Sequence, residues 1–133
     1  MRYIAYDTDL NIDEIKTHCP SAKIIKTVKI KNVKLSFRKG LLTIESSMDD
    51  EIPAVIWEIS EQDLKVLDKK HRNYEKILLV EGFLYVILKN YPIEAPNIMY
   101  LRSLVKGYED FDFDLDILQK AYDETEVKNG KAR

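Results

Sequence analysis

The chain has 133 residues, a length that fits one domain with a buried core. Apolar residues make up 45% of it and charged residues 33%, a composition that argues against an extensively disordered protein. The net charge of −2, from 21 basic and 23 acidic residues, argues against a nucleic-acid-binding protein. No signal-peptide pattern and no apolar stretch of membrane-spanning length are present, so we expect a cytoplasmic protein that binds no membrane.

The first elements in chain order are a strand, a helix and a long strand. Residues 1–6 predict the first strand, and Asn11 followed by Glu14 is typical of a capped helix start. Residues 23–37 alternate apolar and polar side chains, but the alternation slips by one residue near Asn32. Such a slip predicts a bulge or bend, as a strand that wraps around a small barrel requires.

The middle of the chain predicts further strands and a second helix. A turn at Gly40 precedes two strands separated by a polar, acidic loop, in residues 41–45, 46–51 and 53–59. Ser60 followed by Asp63 predicts a capped helix that places His71 on its inner face, below the apolar positions. Two apolar runs separated by a glycine turn predict a hairpin, in residues 74–80 and 83–88.

The last third of the chain predicts two helices and a tail. An amphipathic helix covers residues 98–105 and is closed by Gly107, and a final helix starts near Asp114. We expect residues 1–123 to form the single domain and residues 124–133 to form a polar, frayed tail. Strands interrupted by short helices predict an α+β fold around a small antiparallel or mixed sheet.

Two segments carry the motifs that bear most on function. Residues 3–11 are similar to a Tyr-Gly-Ser-Asn-Leu loop, with Asp7 and Asp9 in place of its glycine and asparagine. Residues 67–74 are similar to a Leu-Asp-x-x-Glu-Gly segment, with His71 in place of its glutamate. In order and spacing, these and five shorter segments resemble the γ-glutamylcyclotransferase-like family, in which that glutamate is the catalytic acid/base. The five segments are residues 18–22, 35–37, 54–60, 96–101 and 107–108.

The resemblance implies a small mixed or antiparallel β-barrel with short peripheral helices and a pocket at the barrel mouth for a γ-glutamyl group. Family enzymes convert γ-glutamyl amines or dipeptides into 5-oxoproline and the free amine. The substrate's own α-amine attacks the γ-carbonyl, so the reaction needs neither a metal nor an organic cofactor. We therefore expect no cofactor and no metal. The expected partner is a small-molecule ligand, which is a γ-glutamyl compound if the chain is active.

The opening loop implies a binding site for a substrate carboxylate, because its backbone N–H groups lie between a strand and a helix start. The resemblance assigns substrate binding to this loop and to a tyrosine at the pocket border, which are Tyr6, Asp7, Thr8, Asp9, Leu10 and Tyr100. Thr8 keeps a hydroxyl, whereas Asp7 and Asp9 would repel an incoming anion. Tyr100 is equally well explained as a core aromatic residue. His18 is better explained as a surface or cap residue.

The histidine at position 71 leaves the activity open. The family's glutamate takes a proton from the attacking amine, and a neutral imidazole could do the same because histidine titrates near physiological pH. The reach and charge of His71 differ from those of a glutamate, and the loop has become acidic as well. We therefore favour a diverged, non-catalytic protein that binds a small ligand, with an amine-bearing ligand as one option. The alternative is an active cyclotransferase that uses His71 as its base.

A group of basic residues is the third feature of the sequence with a bearing on function. Its members are Lys23, Lys26, Lys29, Lys31, Lys34, Arg38 and Lys39. Such a group is typical of a solvated strand face that is protected against edge pairing, and it also fits a docking site for an acidic partner. We favour the solvated face, because lysine-decorated strands are common without any partner.

Overall fold

The computed structural model describes residues 1–128, which form a five-stranded sheet and four α-helices. The strands are β1 (Arg2–Ala5), β2 (Lys23–Arg38), β3 (Leu41–Glu58), β4 (Glu75–Leu79) and β5 (Gly82–Val86). The helices are α1 (Ile12–His18), α2 (Glu61–Lys70), α3 (Ile98–Asp110) and α4 (Asp116–Lys128). The strand order is β2-β3-β1-β5-β4, with β1 antiparallel to β3 and parallel to β5. The predicted α+β fold with a mixed sheet is confirmed.

The closed barrel that the resemblance implied is not confirmed, because the sheet is open. β2 and β4 are the first and last strands of the order, and no backbone pairing joins them within residues 1–128. The side chains of Lys26 on β2 and Glu81 after β4 do meet, at 3.0 Å. β2 packs against α4 instead of β4, and β4 is only five residues long. The two outer strands are therefore linked by a side-chain contact and not by backbone hydrogen bonds.

The long β2–β3 hairpin confirms one prediction and corrects another. Its register shifts between Lys31 and Val33, where Asn32 has a φ of 63°, so the predicted slip is a real irregularity. β3 runs through the predicted loop over residues 46–51, but only Ser46 and Glu51 of it pair with β2, so residues 47–50 bulge out of the ladder. Polar side chains there face solvent from a two-stranded ribbon, and Lys29 lies 3.2 Å from Glu51 across it. The polar pattern therefore predicted the unpaired residues, but not that the strand is continuous on both sides of them.

Two capped helices place the ends of β1 and α2 next to each other. Asn11 caps α1 by accepting a hydrogen bond from the Glu14 N–H at 3.2 Å. Ser60 and Asp63 form the predicted capping box of α2, with both hydrogen bonds at 3.1 Å. Because α2 begins at a defined residue, the side of the helix that each later residue faces is also set. His71 directly follows the last turn, with only 3% of its surface exposed.

Gly107 does not close α3, as the sequence predicted, but lies inside it. The helix continues to Asp110, and a Cβ atom at position 107 would lie 2.7 Å from Leu10 Cβ and 2.8 Å from the Asn11 nitrogen. The glycine therefore lets α3 approach the loop after β1 more closely than any other residue would allow. This contact supports the loop from behind.

The carboxyl-terminal helix extends further than predicted. α4 runs to Lys128, past the expected start of the tail at residue 124, and Thr125 is buried and donates a hydrogen bond to the Ala121 carbonyl at 3.0 Å. Lys34 on β2 lies 3.2 Å from Glu124. The rest of the predicted tail, residues 129–133, lies outside the described residues. No helix among residues 1–128 is long and apolar enough to cross a membrane.

Candidate functional site

The loop after β1 is stabilised by one of its own acidic residues. The chain leaves β1 and makes a single 3₁₀ turn, Thr8–Leu10, before α1. The Asp7 carboxylate accepts a hydrogen bond from the Asp9 N–H at 3.0 Å and so caps this turn. The φ of Asp7 is −106°, so an aspartate fits where the similar loop has a glycine without a left-handed backbone.

Both ring nitrogens of His71 lie within hydrogen-bonding distance of an oxygen atom. Its Nδ1 lies 2.9 Å from the Leu67 carbonyl oxygen, and its Nε2 lies 3.0 Å from Asp7 Oδ2. A carbonyl and a carboxylate only accept, so this arrangement is satisfied by an imidazolium with a proton on each nitrogen. Burial lowers the pKa of His71, but the hydrogen bond to Asp7 and the charges of Asp7 and Asp9 outweigh it, and the pKa is raised above its usual value.

The His71 ring is held from the side by Tyr85. The two rings stack with centroids 4.1 Å apart and an angle of 3° between their planes. The Tyr85 hydroxyl donates to Asp68 at 2.6 Å, which fixes the orientation of the tyrosine ring. The position of the His71 ring is therefore set by three contacts, with Leu67 of α2, Asp7 of the loop and Tyr85 of β5.

Asp9 is the most enclosed charge of the site. Its side chain is fully buried, and it accepts hydrogen bonds from the Tyr3 hydroxyl at 2.5 Å and from Lys70 Nζ at 2.6 Å. His18 Nε2 lies 2.9 Å away, so His18 belongs to this site and the prediction of a surface or cap residue is wrong. Burial raises the pKa of Asp9, but the hydrogen bond with His18 and the charge of Lys70 outweigh it and hold the pKa well below its usual value.

Lys70 connects the buried acids to the surface. Besides Asp9, its ammonium donates to Thr8 Oγ1 and Glu14 Oε2, both at 3.1 Å. Burial lowers its pKa, but the charge of Asp9 outweighs this and the pKa is raised. We refer to Asp7, Asp9, Lys70 and His71 as the ion-pair cluster. It contains two acids and two bases, so its charges balance internally.

The structure separates the predicted site residues into three groups. Asp7, Asp9 and His71 come together in the cluster. Leu10 is a core residue against α3, and the Tyr6 hydroxyl donates to the Tyr85 carbonyl at 2.5 Å inside the core. Thr8 and Tyr100 line an open groove between the loop and α3.

This groove between the loop and α3 is open to solvent. It has a volume of about 600 Å³. Its lining includes Thr8, Glu14, Lys70, Tyr100, Arg102 and Lys106, but not Asp7, Asp9 or His71. The Tyr100 hydroxyl accepts a hydrogen bond from the Leu42 N–H at 3.0 Å, which holds the groove wall against β3.

Asp7, Asp9 and His71 are also the residues in the described chain that could hold a metal ion. Their potential ligand atoms lie within 4.8 Å of one another. Each of these side chains already has partners, since Asp9 binds Tyr3 and Lys70 while His71 Nε2 binds Asp7. A metal ion would have to displace the Lys70 ammonium and a proton of His71 to bind here.

The sequence prediction missed Lys70, His18 and Tyr85 as parts of the site. Lys70 directly precedes His71, which is the one available signal, but nothing in the sequence distinguishes it from Lys69. Tyr85 lies on a strand predicted from its apolar pattern alone, and its stacking on His71 depends on how β5 packs against α2.

No protein-family model and no curated protein matches this sequence. Solved structures do match its fold. A γ-glutamyl cyclotransferase superimposes with a TM-score of 0.74 at 22% identity, over 91% of this chain and 85% of that protein. An uncharacterized protein from Homo sapiens has a TM-score of 0.73 at 22% identity, over 90% of this chain and 85% of its own. YkqA from Bacillus subtilis has a TM-score of 0.75 at 12% identity, over 94% of this chain and 54% of its own. This chain therefore has the γ-glutamyl cyclotransferase-like fold that its motifs predicted.

Proposed function

We propose that this chain is a non-catalytic protein of the γ-glutamyl cyclotransferase-like fold that binds a small molecule. The observation that carries the proposal is the environment of His71, whose two ring nitrogens both face oxygen acceptors at hydrogen-bonding distance. The residue in the place of the catalytic glutamate is thus a proton donor within an ion pair.

The protonation of His71 opposes the role of a base. A general base must accept a proton near neutral pH, and a raised pKa favours the form of His71 that already carries one. Its surface is only 3% exposed, and Asp7 lies on its Nε2. An attacking amine would have to displace Asp7 before it could reach the ring.

The anchor for a substrate carboxylate is also engaged. The resemblance assigns that role to the loop N–H groups, but the Asp9 N–H donates to the Asp7 carboxylate at 3.0 Å. The N–H groups of Leu10 and Asn11 donate to the carbonyls of Asp7 and Thr8, each at 3.0 Å. A γ-glutamyl carboxylate would therefore find these donors satisfied and two carboxylates close by.

An amine-bearing ligand, the option left open by the sequence, gains little support from this arrangement. Asp7 and Asp9 are matched by His71 and Lys70, so no carboxylate of the cluster is left for an ammonium group. The docking of an acidic partner on the basic β2 strand gains little support either. Several of its cations already face acids across the ribbon or from neighbouring elements, in the pairs Lys26–Glu81, Lys29–Glu51, Lys34–Glu124 and Arg38–Glu45.

The test is release of 5-oxoproline from a panel of γ-glutamyl dipeptides and γ-glutamyl amines. The wild type and His71→Ala are assayed beside an active γ-glutamyl cyclotransferase, with circular dichroism as the check of folding. We expect no release from either form of this chain. Release by the wild type that disappears in His71→Ala would replace this proposal with the alternative, a cyclotransferase that uses His71 as its base.

A further inference from the structure

The groove beside the ion-pair cluster is lined by more cationic than anionic side chains. Among the charged residues that line it, Lys70, Arg102 and Lys106 are cationic and Glu14 is anionic. Asp7 and Asp9, which would reverse this balance, are buried and do not line the groove. The residues that line the groove therefore sum to a positive charge, although the whole chain carries a net charge of −2.

The cations of the groove differ in how far they are already engaged. Lys70 is held by Asp9 and Glu14, and Lys106 lies 2.9 Å from Asp110 and 3.3 Å from Asp13. Arg102 is exposed and has no ion-pair partner within residues 1–128. An unpaired guanidinium presents a planar set of donors suited to a carboxylate or a phosphate. Arg102 is therefore the groove residue with the most free hydrogen-bond donors for a bound anion.

The wall that α3 contributes also has an apolar part. Met99 and Arg102 are three residues apart and Lys106 follows four residues later, so all three lie on one side of the helix. Met99 lines the groove with 70% of its surface exposed, and Tyr100 lies beside it. A flexible thioether next to an aromatic ring can accommodate an apolar group of varied shape.

We propose that the groove between the loop after β1 and α3 binds a small molecule with an anionic group and an apolar group. Arg102, with Lys106 beside it, contacts the anion, and Met99 and Tyr100 contact the apolar part. This proposal rests on the proposed function, because it assigns the ligand to the open groove rather than to the buried cluster. A carboxylate and a phosphate share the required chemistry.

The experiment titrates ¹⁵N-labelled protein with phenyl phosphate, benzoate, inorganic phosphate and benzylamine, and follows the amide signals by NMR. We expect phenyl phosphate or benzoate to shift the signals of Thr8, Met99, Arg102 and Ser103. The stronger of the two identifies the anion. Inorganic phosphate should bind more weakly because it lacks the apolar group, and benzylamine, with the opposite charge, should not shift these signals.

Two charge reversals of the same size provide the matched comparison. Arg102→Glu removes the proposed anion contact, whereas Arg72→Glu reverses another exposed arginine that does not line the groove. We expect Arg102→Glu to weaken binding of the stronger probe by about tenfold or more, and Arg72→Glu to leave it within about twofold. The amide spectrum of each variant reports whether it is folded.

The groove proposal is overturned if no probe shifts these signals up to about 10 mM, which corresponds to very weak binding. It is equally overturned if both variants weaken binding alike or if benzylamine binds as well as benzoate. These results are separable from the test of catalysis. Probe binding together with 5-oxoproline release would contradict the non-catalytic proposal alone, and the absence of both would contradict the groove alone.

Discussion

At the scale of single residues, the chain places an imidazolium and an ammonium beside two buried carboxylates. His71 lies 3.0 Å from Asp7 and Lys70 lies 2.6 Å from Asp9. Leaving one member of such a buried pair without its partner typically costs about 3–5 kcal/mol, so the four charges depend on one another. A site arranged in this way stabilises its loop, and the same bonds occupy the groups that a reaction would need.

The raised pKa of His71 makes the stability of the protein depend on pH. Its pKa in the unfolded chain is about 6.5, and in the folded chain it is higher because of Asp7. The stabilisation is therefore complete below pH of about 6.5 and is lost as the pH rises through the folded value. We expect the free energy of unfolding in urea to fall with rising pH in this window, by at most about 1.4 kcal/mol per pH unit.

The control for this prediction is His71→Gln, which cannot titrate. The difference in free energy of unfolding between the wild type and this variant, measured from pH 6 to pH 9, isolates the contribution of His71 from those of other groups. We expect the difference to shrink as the pH rises. A difference that stays constant across the range would mean that folding does not raise the pKa of His71.

The sequence predicted which way His71 faces but not what it meets. Helical spacing from a capped start is a local property, so the inner face of α2 followed from Ser60 and Asp63. The pairing of His71 with Asp7 joins residues 64 positions apart, and the position of a proton depends on distances of a few tenths of an ångström. Neither is encoded in a local pattern.

At the scale of secondary-structure elements, the contact between α3 and the loop after β1 holds the site together. Gly107 allows this contact, because any side chain there would collide with Leu10 and Asn11. The sequence predicted a helix end at this glycine, since glycine is common after the last turn of a helix. Glycine is also used where two backbones approach closely, and only the packing of α3 decides between these two roles.

Gly107→Ala should destabilise the protein even though alanine is the better helix former. The exchange favours an isolated helix by about 1 kcal/mol. The added methyl group would force α3 away from the loop, at a cost of about 1–3 kcal/mol. We expect a lower free energy of unfolding, measured in urea. Glu109→Ala compared with Glu109→Gly, at an exposed position of the same helix, reports the propensity effect alone. A more stable Gly107→Ala protein would show that α3 does not press on the loop.

At the scale of the whole molecule, the order and type of most elements followed from the sequence. The open form of the sheet and the end of the last helix did not. The capped helices, the slipped strand and the β4–β5 hairpin have local signals, and the structure contains all of them. Whether a sheet closes depends on backbone pairing between its outer strands, which are far apart in the chain and have no local signal for it. α4 continues past residue 124 and buries Thr125, a polar residue that gave no apolar signal in the sequence.

A chain that ends at Asp123 tests the extent of the domain. Truncation removes the buried Thr125 and the contact of Glu124 with Lys34. We expect a loss of more than about 1 kcal/mol in the free energy of unfolding, as is usual when packed side chains are removed. Glu124→Gln keeps the helix and removes only a partly exposed ion pair, so it should cost less than about 1 kcal/mol. Equal stability of the truncated and full chains would restore the shorter domain that the sequence predicted.

The close spacing of the ion-pair cluster limits which residues position 71 can hold. A single exchange of His71 for glutamate would bring three carboxylates together, where ligand atoms of Asp7, Asp9 and His71 now lie within 4.8 Å of one another. Buried like charges at this distance cannot all be ionised, so this variant would fold poorly. A glutamate at position 71 is therefore compatible with this fold only if Asp7 or Asp9 is replaced as well. The identity of residue 71 is thus coupled to that of the loop residues, and one substitution alone does not exchange the two arrangements.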